Sequence, residues 1–577
     1  NFLILGVVLA VSAHPADPTS NDGAEGTAST RRFHGGLRWV SVGLAAILAG
    51  IVLKVAYVQV LRADDVLTRG CIALQADGLR RFEYNPRLAA IAATIPRGSI
   101  VDRNGILLAT SDPAELAKGR DALSVLGATV PASTAPGERI YPFGGRTFHL
   151  LGDLRNRVNW AARNTSFIER DSRVRLQGYD DYAAVVEVRQ PGGRPQQLIQ
   201  LDYHQLIPLL RYRYRPDSPA VRRILEKDRT VRLSIDVRLQ IKAGDILERA
   251  VRQARQAGQT GPPEVTGGAA VVLDAVSGEL LASVGYPWPA RLPVESSADA
   301  ASGVIDRARY GVYPPGSTFK LVTAMAALRR NPESMRRTFE CVRLPEGRVG
   351  NTVRGWNRPV RDDPTDTVPH GTVDLEKGIV VSCNAYFAQL ATYEVEAKPL
   401  LETARLLGIA VAKPNTPEQL LKALPQAGYG QGQVTATPFE MARVAAIVGG
   451  GGAMPEGRWV LDDSNGRTAP PAPIVSAEAA VFLARAMRRV VIAGTAARFL
   501  KDVQPAVAGK TGTAEVQGKT SHSWFVGFAP AASASGTGGG RRIAIAVIVE
   551  HGGYGGRLAA PAAGEIVRQA AALGLIR

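Results

Sequence analysis

Pro315-Gly316-Ser317-Thr318-Phe319-Lys320 precedes the apolar run Leu321 to Leu328, and this stretch decides the fold and the chemistry predicted for the 577-residue chain. Gly316 can end the preceding segment, and Ser317 lies where a helix would begin. Lys320 follows one turn later on the same face, so its amine can touch the Ser317 hydroxyl. Because the residues after Lys320 are apolar on nearly every side, we predict a buried helix.

Burial would lower the pKa of Lys320, because a charged amine is costly to remove from water. The neutral amine could take a proton from Ser317, which would then act as a nucleophile. The backbone amide of Ser317, at the start of the helix, could face the developing oxyanion. Ser-x-x-Lys is nevertheless a common pattern, and an N-capping serine followed by a surface lysine would also produce it.

Two further stretches favour the catalytic interpretation. Ser382-Cys383-Asn384 lies downstream, and Lys510-Thr511-Gly512-Thr513 lies in a predicted strand. The order Ser-x-x-Lys, Ser-x-Asn and Lys-Thr-Gly resembles the three-motif set of the penicillin-recognising acyl-serine enzymes. From about Ile95 to its end, the chain resembles the class B penicillin-binding proteins, which are peptidoglycan D,D-transpeptidases.

This resemblance implies a role for each motif residue. Ser317 would be the acylated nucleophile, and Lys320 would accept its proton. Ser382 would relay the proton to the leaving amine, and Asn384 would orient Lys320 and the substrate peptide.

The third motif would bind the substrate. Lys510, Thr511 and Thr513 would hold the terminal carboxylate of the donor peptide, and Gly512 would leave room for its backbone along the strand edge. The amides of Ser317 and Thr513 would form the oxyanion hole.

The resemblance also implies the reaction. A stem peptide ending in D-Ala-D-Ala would acylate the serine with loss of the last D-Ala, and an amine of a neighbouring strand would resolve the acyl-enzyme into a cross-link. β-Lactams would be trapped at the same serine. No metal and no organic cofactor would be needed.

The charge of the chain agrees with a place beside a cell wall. Lysine and arginine number 69 against 52 aspartate and glutamate, which gives a formal charge of +17. Such a chain favours an anionic lipid surface, a wall polymer or nucleic acid as partner. Because no nucleic-acid-binding motif accompanies the charge, we expect a membrane partner and no nucleic acid.

Three cysteines occur, Cys71, Cys341 and Cys383, and none has the spacing of a metal-ligand motif. The odd number leaves one thiol over, so we do not expect the fold to depend on disulfides, although a bridge between Cys71 and Cys341 stays open. Cys383 is interpreted as a small packed residue.

Residues 1–13 contain an apolar run from Phe2 to Ala13. One interpretation is the end of a secretory signal, with Val11-Ser12-Ala13 as its cleavage site. The other is the end of an upstream membrane helix, because Asn1 to Gly6 resembles the last membrane helix of the SEDS family of glycan polymerases. That resemblance implies a polymerase–transpeptidase fusion, or an associated polymerase as partner.

A linker and a membrane anchor follow. Residues 14–38 are rich in Pro, Ser, Thr, Gly and Asp and predict a cytoplasmic linker. Residues 39–61 are long enough, at about 1.5 Å per residue, to cross a bilayer of roughly 30 Å. The arginines Arg31, Arg32 and Arg38 precede this anchor, so we expect the catalytic part to be extracytoplasmic at the cell membrane.

Residues 62–228 predict a β-rich, non-catalytic pedestal of the kind also called a dimerisation domain. Pro96 to Ala109 reads as strand, tight turn at Asn104-Gly105, and strand. This hairpin, and Tyr141 to Gly152 after it, resemble two motifs of the class B pedestal.

Residues 229–577 predict the transpeptidase domain, of the α+β class. A hairpin spans Ala269 to Val284, and Thr437 to Glu440 begins a helix with a capping box. Three late strands are predicted at 510–514, 523–528 and 543–549. The resemblance implies the penicillin-binding, acyl-serine transferase fold, a five-stranded antiparallel sheet with helices on both faces.

Other functions are weighed against this interpretation. Gly509-Lys510-Thr511 superficially matches a phosphate loop, but Gln504 stands where such a loop needs glycine. The histidines are scattered and form no predicted Ser-His-Asp set. A D,D-carboxypeptidase or β-lactamase of the same fold, or a catalytically silent β-lactam-binding scaffold, stays open as an alternative.

Overall fold

The computed structural model describes residues 27–576 except 132–134, 136, 155–166, 258–266, 291, 293–302, 462–472 and 532–540. The predicted end of an upstream membrane helix at residues 1–13 lies outside the described residues. The described residues form two compact units, one within residues 27–92 and 181–214 and the other within residues 93–180 and 215–576.

The strands are numbered in chain order. They are β1 (Cys71–Leu74), β2 (Arg80–Glu83), β3 (Ile100–Val101), β4 (Leu107–Ala109), β5 (Tyr182–Arg189), β6 (Pro195–Leu201), β7 (Val231–Arg232), β8 (Gly268–Asp274), β9 (Leu280–Tyr286), β10 (Phe339–Arg343), β11 (Val349–Asn351), β12 (Val360–Arg361), β13 (Gly371–Val373), β14 (Ala508–Val516), β15 (Lys519–Ala529) and β16 (Ile543–Val549).

The α-helices are numbered in the same way. They are α1 (Thr27–Ala56), α2 (Ala63–Thr68), α3 (Pro86–Thr94), α4 (Pro113–Val125), α5 (Phe148–Leu151), α6 (Ile168–Asp171), α7 (Arg173–Gln177), α8 (Ile207–Arg211), α9 (Pro219–Leu225), α10 (Val237–Ala257), α11 (Lys320–Arg330), α12 (Leu375–Val380), α13 (Asn384–Leu390), α14 (Ala397–Leu406), α15 (Pro417–Leu421), α16 (Leu424–Ala427), α17 (Pro438–Gly449), α18 (Ala477–Ala493), α19 (Ala497–Leu500) and α20 (Ala559–Ala572).

The larger unit is built on a five-stranded antiparallel sheet in the order β14-β15-β16-β8-β9. Its middle strand β16 reads Ile-Ala-Ile-Ala-Val-Ile-Val and is buried along its whole length. β-Branched residues suit such a strand because they pack well on both faces of the pleat. The predicted α+β class and five-stranded sheet are confirmed.

Helices cover both faces of this sheet and form its core. Helices α10 and α20 pack against each other and against the sheet, and α17 and α18 form a second packed pair. Helix α17 begins with the predicted capping box, in which the Thr437 hydroxyl accepts from the Glu440 amide and the Glu440 carboxylate accepts from the Thr437 amide. Helix α18 packs against the edge strand β14, which lies beside the Ser317 turn.

The predicted boundary near residue 228 does not match the division into units. Strand β3, expected in the pedestal, pairs in parallel with β7, expected in the catalytic domain. Asp102 accepts hydrogen bonds from the amides of Asn104 and Val237, so the predicted hairpin at Asn104 is joined to the start of α10. Residues 93–180 therefore belong to the same unit as the central sheet, because their strands and buried carboxylates need partners that lie beyond residue 228.

The smaller unit contains the N-terminal helix and two hairpins. Strands β1 and β2 pair antiparallel, as do β5 and β6. The helix around Trp39–Leu61 is long and apolar enough to cross a membrane. Helix α1 begins at Thr27, so the last residues of the predicted linker 14–38 are helical.

Candidate active site

The Ser317 turn lies against the edge of the central sheet. Gly316–Phe319 forms a 3-10 turn that leads into α11. Gly316 has φ +53°, and a Cβ atom there would lie 2.6 Å from the Thr513 carbonyl oxygen. A glycine is therefore required both by the left-handed backbone and by the close approach to β14. Thr318 and Phe319 are buried, whereas Ser317 is half-buried.

Lys320 is fully buried and lies at the centre of the three motifs. Its Nζ lies 3.1 Å from Ser317 Oγ, 3.1 Å from Ser382 Oγ and 2.7 Å from Asn384 Oδ1. It also donates to the Ser382 carbonyl. Burial lowers the pKa of Lys320 from 10.5 to about 8, although nearby acidic groups, first Asp362, oppose the shift. A neutral amine is therefore accessible near neutral pH, one hydrogen bond from the Ser317 hydroxyl.

Ser382 bridges two lysines. Its Oγ accepts from Lys320 Nζ and, at 2.8 Å, from Lys510 Nζ. Ser382 has φ +61°, a left-handed conformation that is unusual for a residue with a side chain. This turn, which precedes α13 at Asn384, aims the hydroxyl at both amines.

Lys510 was expected to hold the carboxylate of the donor peptide, and the structure places its amine inside the motif cluster. The side chain is fully buried, and Nζ donates to Ser382 Oγ and to the Thr511 carbonyl at 3.0 Å. Burial first, and then the charge of Lys320, hold the pKa of Lys510 well below its ordinary value. The role of Lys510 in binding a carboxylate stays a prediction.

The remaining residues of the third motif lie along β14, the edge strand of the sheet. Thr511 Oγ1 lies 2.5 Å from Thr495 Oγ1, and Thr513 Oγ1 accepts from the Gly555 amide at 3.3 Å. A Cβ at Gly512 would lie 2.8 Å from Thr318 Cγ2. Gly512 was expected to leave room for substrate, and in the structure it leaves room for the Ser317 turn.

All eight predicted site residues lie together. Five of them line one cavity of about 1030 Å³, namely Ser317, Ser382, Asn384, Thr511 and Thr513. The two lysines lie behind this wall, within hydrogen-bond distance of Ser382. The cavity can therefore present a nucleophile, a buried base and several hydroxyl donors to a peptide laid along β14.

Beside this site lies a cluster that sequence spacing did not predict. Asp362 Oδ2 lies 3.1 Å from Cys341 Sγ, 3.2 Å from Cys383 Sγ and 3.3 Å from His370 Nδ1. The four ligand atoms all lie within 4.8 Å of one another. Two thiols, an imidazole and a carboxylate form a donor set that suits Zn²⁺. Motif spacing missed it because the four residues come from four separate segments.

The cluster is joined to the second motif. Asp362 accepts from the backbone amides of Asn384 and Ala385, so its carboxylate holds the start of α13. All three cysteines of the chain are free, so Cys71 and Cys341 form no disulfide. The prediction that Cys383 is a packed residue omitted this contact with Asp362.

The comparisons with known proteins agree with this site. The family described as "Penicillin binding protein transpeptidase domain" matches residues 268–568. "Peptidoglycan D,D-transpeptidase PbpA" of Mycobacterium tuberculosis is 30% identical over 365 residues, which cover 56% of this chain and 70% of that protein. The chain therefore belongs to the penicillin-binding protein transpeptidase family.

Solved structures show the same fold. Penicillin-binding protein A of M. tuberculosis, as a ceftriaxone acyl-enzyme complex, matches with a TM-score of 0.55 and 24% identity over 83% of this chain and 99% of that one. A second match is a structure that describes the "structural coordination of polymerization and crosslinking by a peptidoglycan synthase complex". Its TM-score is 0.55 and its identity 22%, over 93% of this chain and 98% of that one. The prediction that the chain is a class B penicillin-binding protein and a serine D,D-transpeptidase is confirmed.

Proposed function

We propose that this chain cross-links peptidoglycan stem peptides through an acyl-enzyme on Ser317. The observation that carries the proposal is the hydrogen bond of 3.1 Å between Ser317 Oγ and the buried Lys320 Nζ, beside a cavity open along β14. In acylation, neutral Lys320 takes the Ser317 proton while Oγ attacks the carbonyl of the penultimate D-Ala.

The leaving D-Ala needs a proton on its amine. Ser382 Oγ, which contacts both Lys320 and Lys510, is placed to deliver it. Asn384 Oδ1 holds the Lys320 amine on the side of the cavity. The amides of Ser317 and Thr513 are our proposed oxyanion donors, because Gly316 and the Thr513 carbonyl lie in close contact.

Deacylation by an amine separates a transpeptidase from a hydrolase. The amine of a second stem peptide would enter the cavity and attack the acyl carbon, losing a proton to Lys320 or Ser382. The new amide bond forms as the ester bond to Ser317 breaks, and Lys320 returns a proton to Ser317 Oγ. The name of the M. tuberculosis relative supports this outcome over hydrolysis.

The test uses the full chain in detergent micelles, labelled with a fluorescent penicillin and measured by intact mass. We expect one stable adduct in the wild type and none in Ser317→Ala. Ser124→Ala is the matched control, because Ser124 is exposed on α4 and its hydroxyl donates to a backbone carbonyl. An adduct that persists in Ser317→Ala would refute the assignment of the nucleophile.

A donor peptide ending in D-Ala-D-Ala then separates the alternatives. Transfer of the acyl group to an added amine supports the transpeptidase. Release of free acid alone would indicate the carboxypeptidase or β-lactamase-like alternative, and no turnover at all would indicate the scaffold.

We also propose that residues 39–61 anchor the chain with its catalytic unit on the extracytoplasmic side. Residues 62–228, of which 93–180 share the unit of the central sheet, are proposed to act as a non-catalytic pedestal. The basic residues before Trp39 support this orientation. Labelling of intact cells by a membrane-impermeant β-lactam tests it, and labelling only after lysis would contradict it.

A SEDS-family glycan polymerase, fused or associated, is the proposed partner. The likeness of the fold to a component of a peptidoglycan synthase complex supports this partner. Coupled synthesis of polymerised and cross-linked strands by the copurified proteins tests it, and unchanged polymer yield without this chain would contradict it.

A further inference from the structure

The donor peptide brings a carboxylate to the cavity, and neither lysine of the motifs meets it as an exposed cation. Lys320 and Lys510 are both fully buried. Their amines already donate to oxygens of the protein, among them Ser382 Oγ and the Thr511 carbonyl. A carboxylate at the surface of β14 would therefore be stabilised by an additional, exposed positive charge.

Arg557 lies at that edge. It lines the same cavity as Ser317, Thr511 and Thr513, and its side chain is exposed. Among the described residues, no carboxylate forms an ion pair with its guanidinium. An arginine offers several N–H donors in a planar arrangement that matches a carboxylate.

The backbone before Arg557 is fixed to β14. A Cβ at Gly555 would lie 2.4 Å from the Gly512 carbonyl oxygen, and the Gly555 amide donates to Thr513 Oγ1. A Cβ at Gly556 would lie 3.1 Å from the Thr495 carbonyl oxygen. These two close approaches hold the backbone of the segment next to the third motif, and Arg557 follows directly on the wall of the same cavity.

The hydroxyls there still have protons to donate. Thr513 Oγ1 accepts from the Gly555 amide, so its own O–H is free to donate into the cavity. Thr495 and Thr511 share one hydrogen bond between their hydroxyls, which leaves one of their two protons for a ligand. A carboxylate in this position would meet two hydroxyl donors and one guanidinium.

We propose that Arg557 is the cation that binds the terminal carboxylate of the donor peptide, together with the Thr513 hydroxyl and one hydroxyl of the Thr495–Thr511 pair. Arg557 is thus a specificity-determining residue for ligands with a free carboxylate. The proposal rests on the proposed function, because the carboxylate is that of the D-Ala-D-Ala donor.

The opposite rim of the cavity supplies a matched control. Arg358 also lines the cavity and is exposed, and it lies three residues before Arg361, whose carbonyl accepts from Asn384 Nδ2. It therefore stands on the side of the second motif, away from the threonines. Arg358→Gln removes the same charge from the same cavity without touching the proposed carboxylate site.

The experiment measures the acylation rate of the full chain in detergent with a penicillin and with its carboxylate methyl ester. We expect Arg557→Gln to slow acylation by the free acid roughly ten- to a hundredfold, as loss of a charged hydrogen bond would. Acylation by the methyl ester should stay unchanged. Arg358→Gln should change neither rate, and Arg557→Lys should restore part of the loss.

Other outcomes would overturn the proposal. Equal slowing of acid and ester in Arg557→Gln would indicate a merely structural role, and an unchanged rate with the acid would remove Arg557 from carboxylate binding. A loss in Arg358→Gln equal to that in Arg557→Gln would indicate only a general effect of charge. The proposed function is tested separately, because Arg557→Gln should still form the Ser317 adduct to completion.

Discussion

Replacement of Lys320 gives the sharpest test of the proposed mechanism, because burial sets the fraction of neutral amine. With a pKa of about 8, roughly a tenth of the amine is neutral at pH 7, against about 3 in 10,000 for an ordinary lysine at 10.5. Burial therefore raises the fraction of Lys320 that is neutral at pH 7 about 300-fold. Replacement of Lys320 by methionine removes this base and should slow acylation by roughly 10²- to 10⁴-fold.

The assay is stopped-flow acylation of the full chain by a fluorescent penicillin between about pH 6 and pH 10. The wild-type rate should rise about tenfold per pH unit and level off above about pH 8. Lys320→Met should be slow and lose this dependence. Lys422→Met, at an exposed lysine, is the control and should follow the wild type.

The same pKa predicts a change in stability. The folded pKa of Lys320 lies below the unfolded value, so the unfolded chain binds the extra proton between about pH 8 and 10.5. Wild-type stability should therefore rise through this range relative to Lys320→Met, by up to about 3 kcal/mol. Thermal midpoints of the two proteins measure the difference. A wild-type acylation rate that is flat between about pH 6 and pH 8 would refute the reasoning.

Three further predictions concern neighbouring features. Ser382→Ala removes the hydroxyl between the two lysines and should lower turnover of a D-Ala-D-Ala peptide roughly 10²-fold or more. An unchanged kcat would exclude the relay. Gly316→Ala places a Cβ 2.6 Å from the Thr513 carbonyl oxygen at a residue with positive φ, and it should lower the free energy of unfolding by about 1–3 kcal/mol. An unchanged thermal midpoint would contradict the close approach. The purified chain should retain Zn²⁺ after dialysis, measured by elemental analysis, and Cys341→Ala should lose it; equal and negligible zinc in both proteins would show that the cluster binds none.

Local features of the chain could be predicted because they depend on near neighbours. The Ser-x-x-Lys spacing placed two side chains on one helical face, and α11 is buried as its apolar run indicates. The capping box at Thr437 and the strand β16 follow in the same way from short patterns. The order of the three motifs indicates the family without any tertiary contact.

Other features could not be predicted because they depend on which distant segments meet. Thr495 and Arg557 carry no motif of their own, and they join the site only because the segments that hold them pack beside β14. The four-residue cluster around Asp362 draws on separate strands and loops for the same reason.

The sequence by itself indicated the candidate nucleophile, its neighbouring amine and the central sheet, because helix and strand periodicities act over a few residues. Only the tertiary structure decided that Lys510 is buried next to Ser382 rather than exposed on a strand edge, and that residues 93–180 join the unit of the central sheet. The burial of a charge and the pairing of β3 with β7 arise from contacts across more than a hundred residues, which no local pattern encodes.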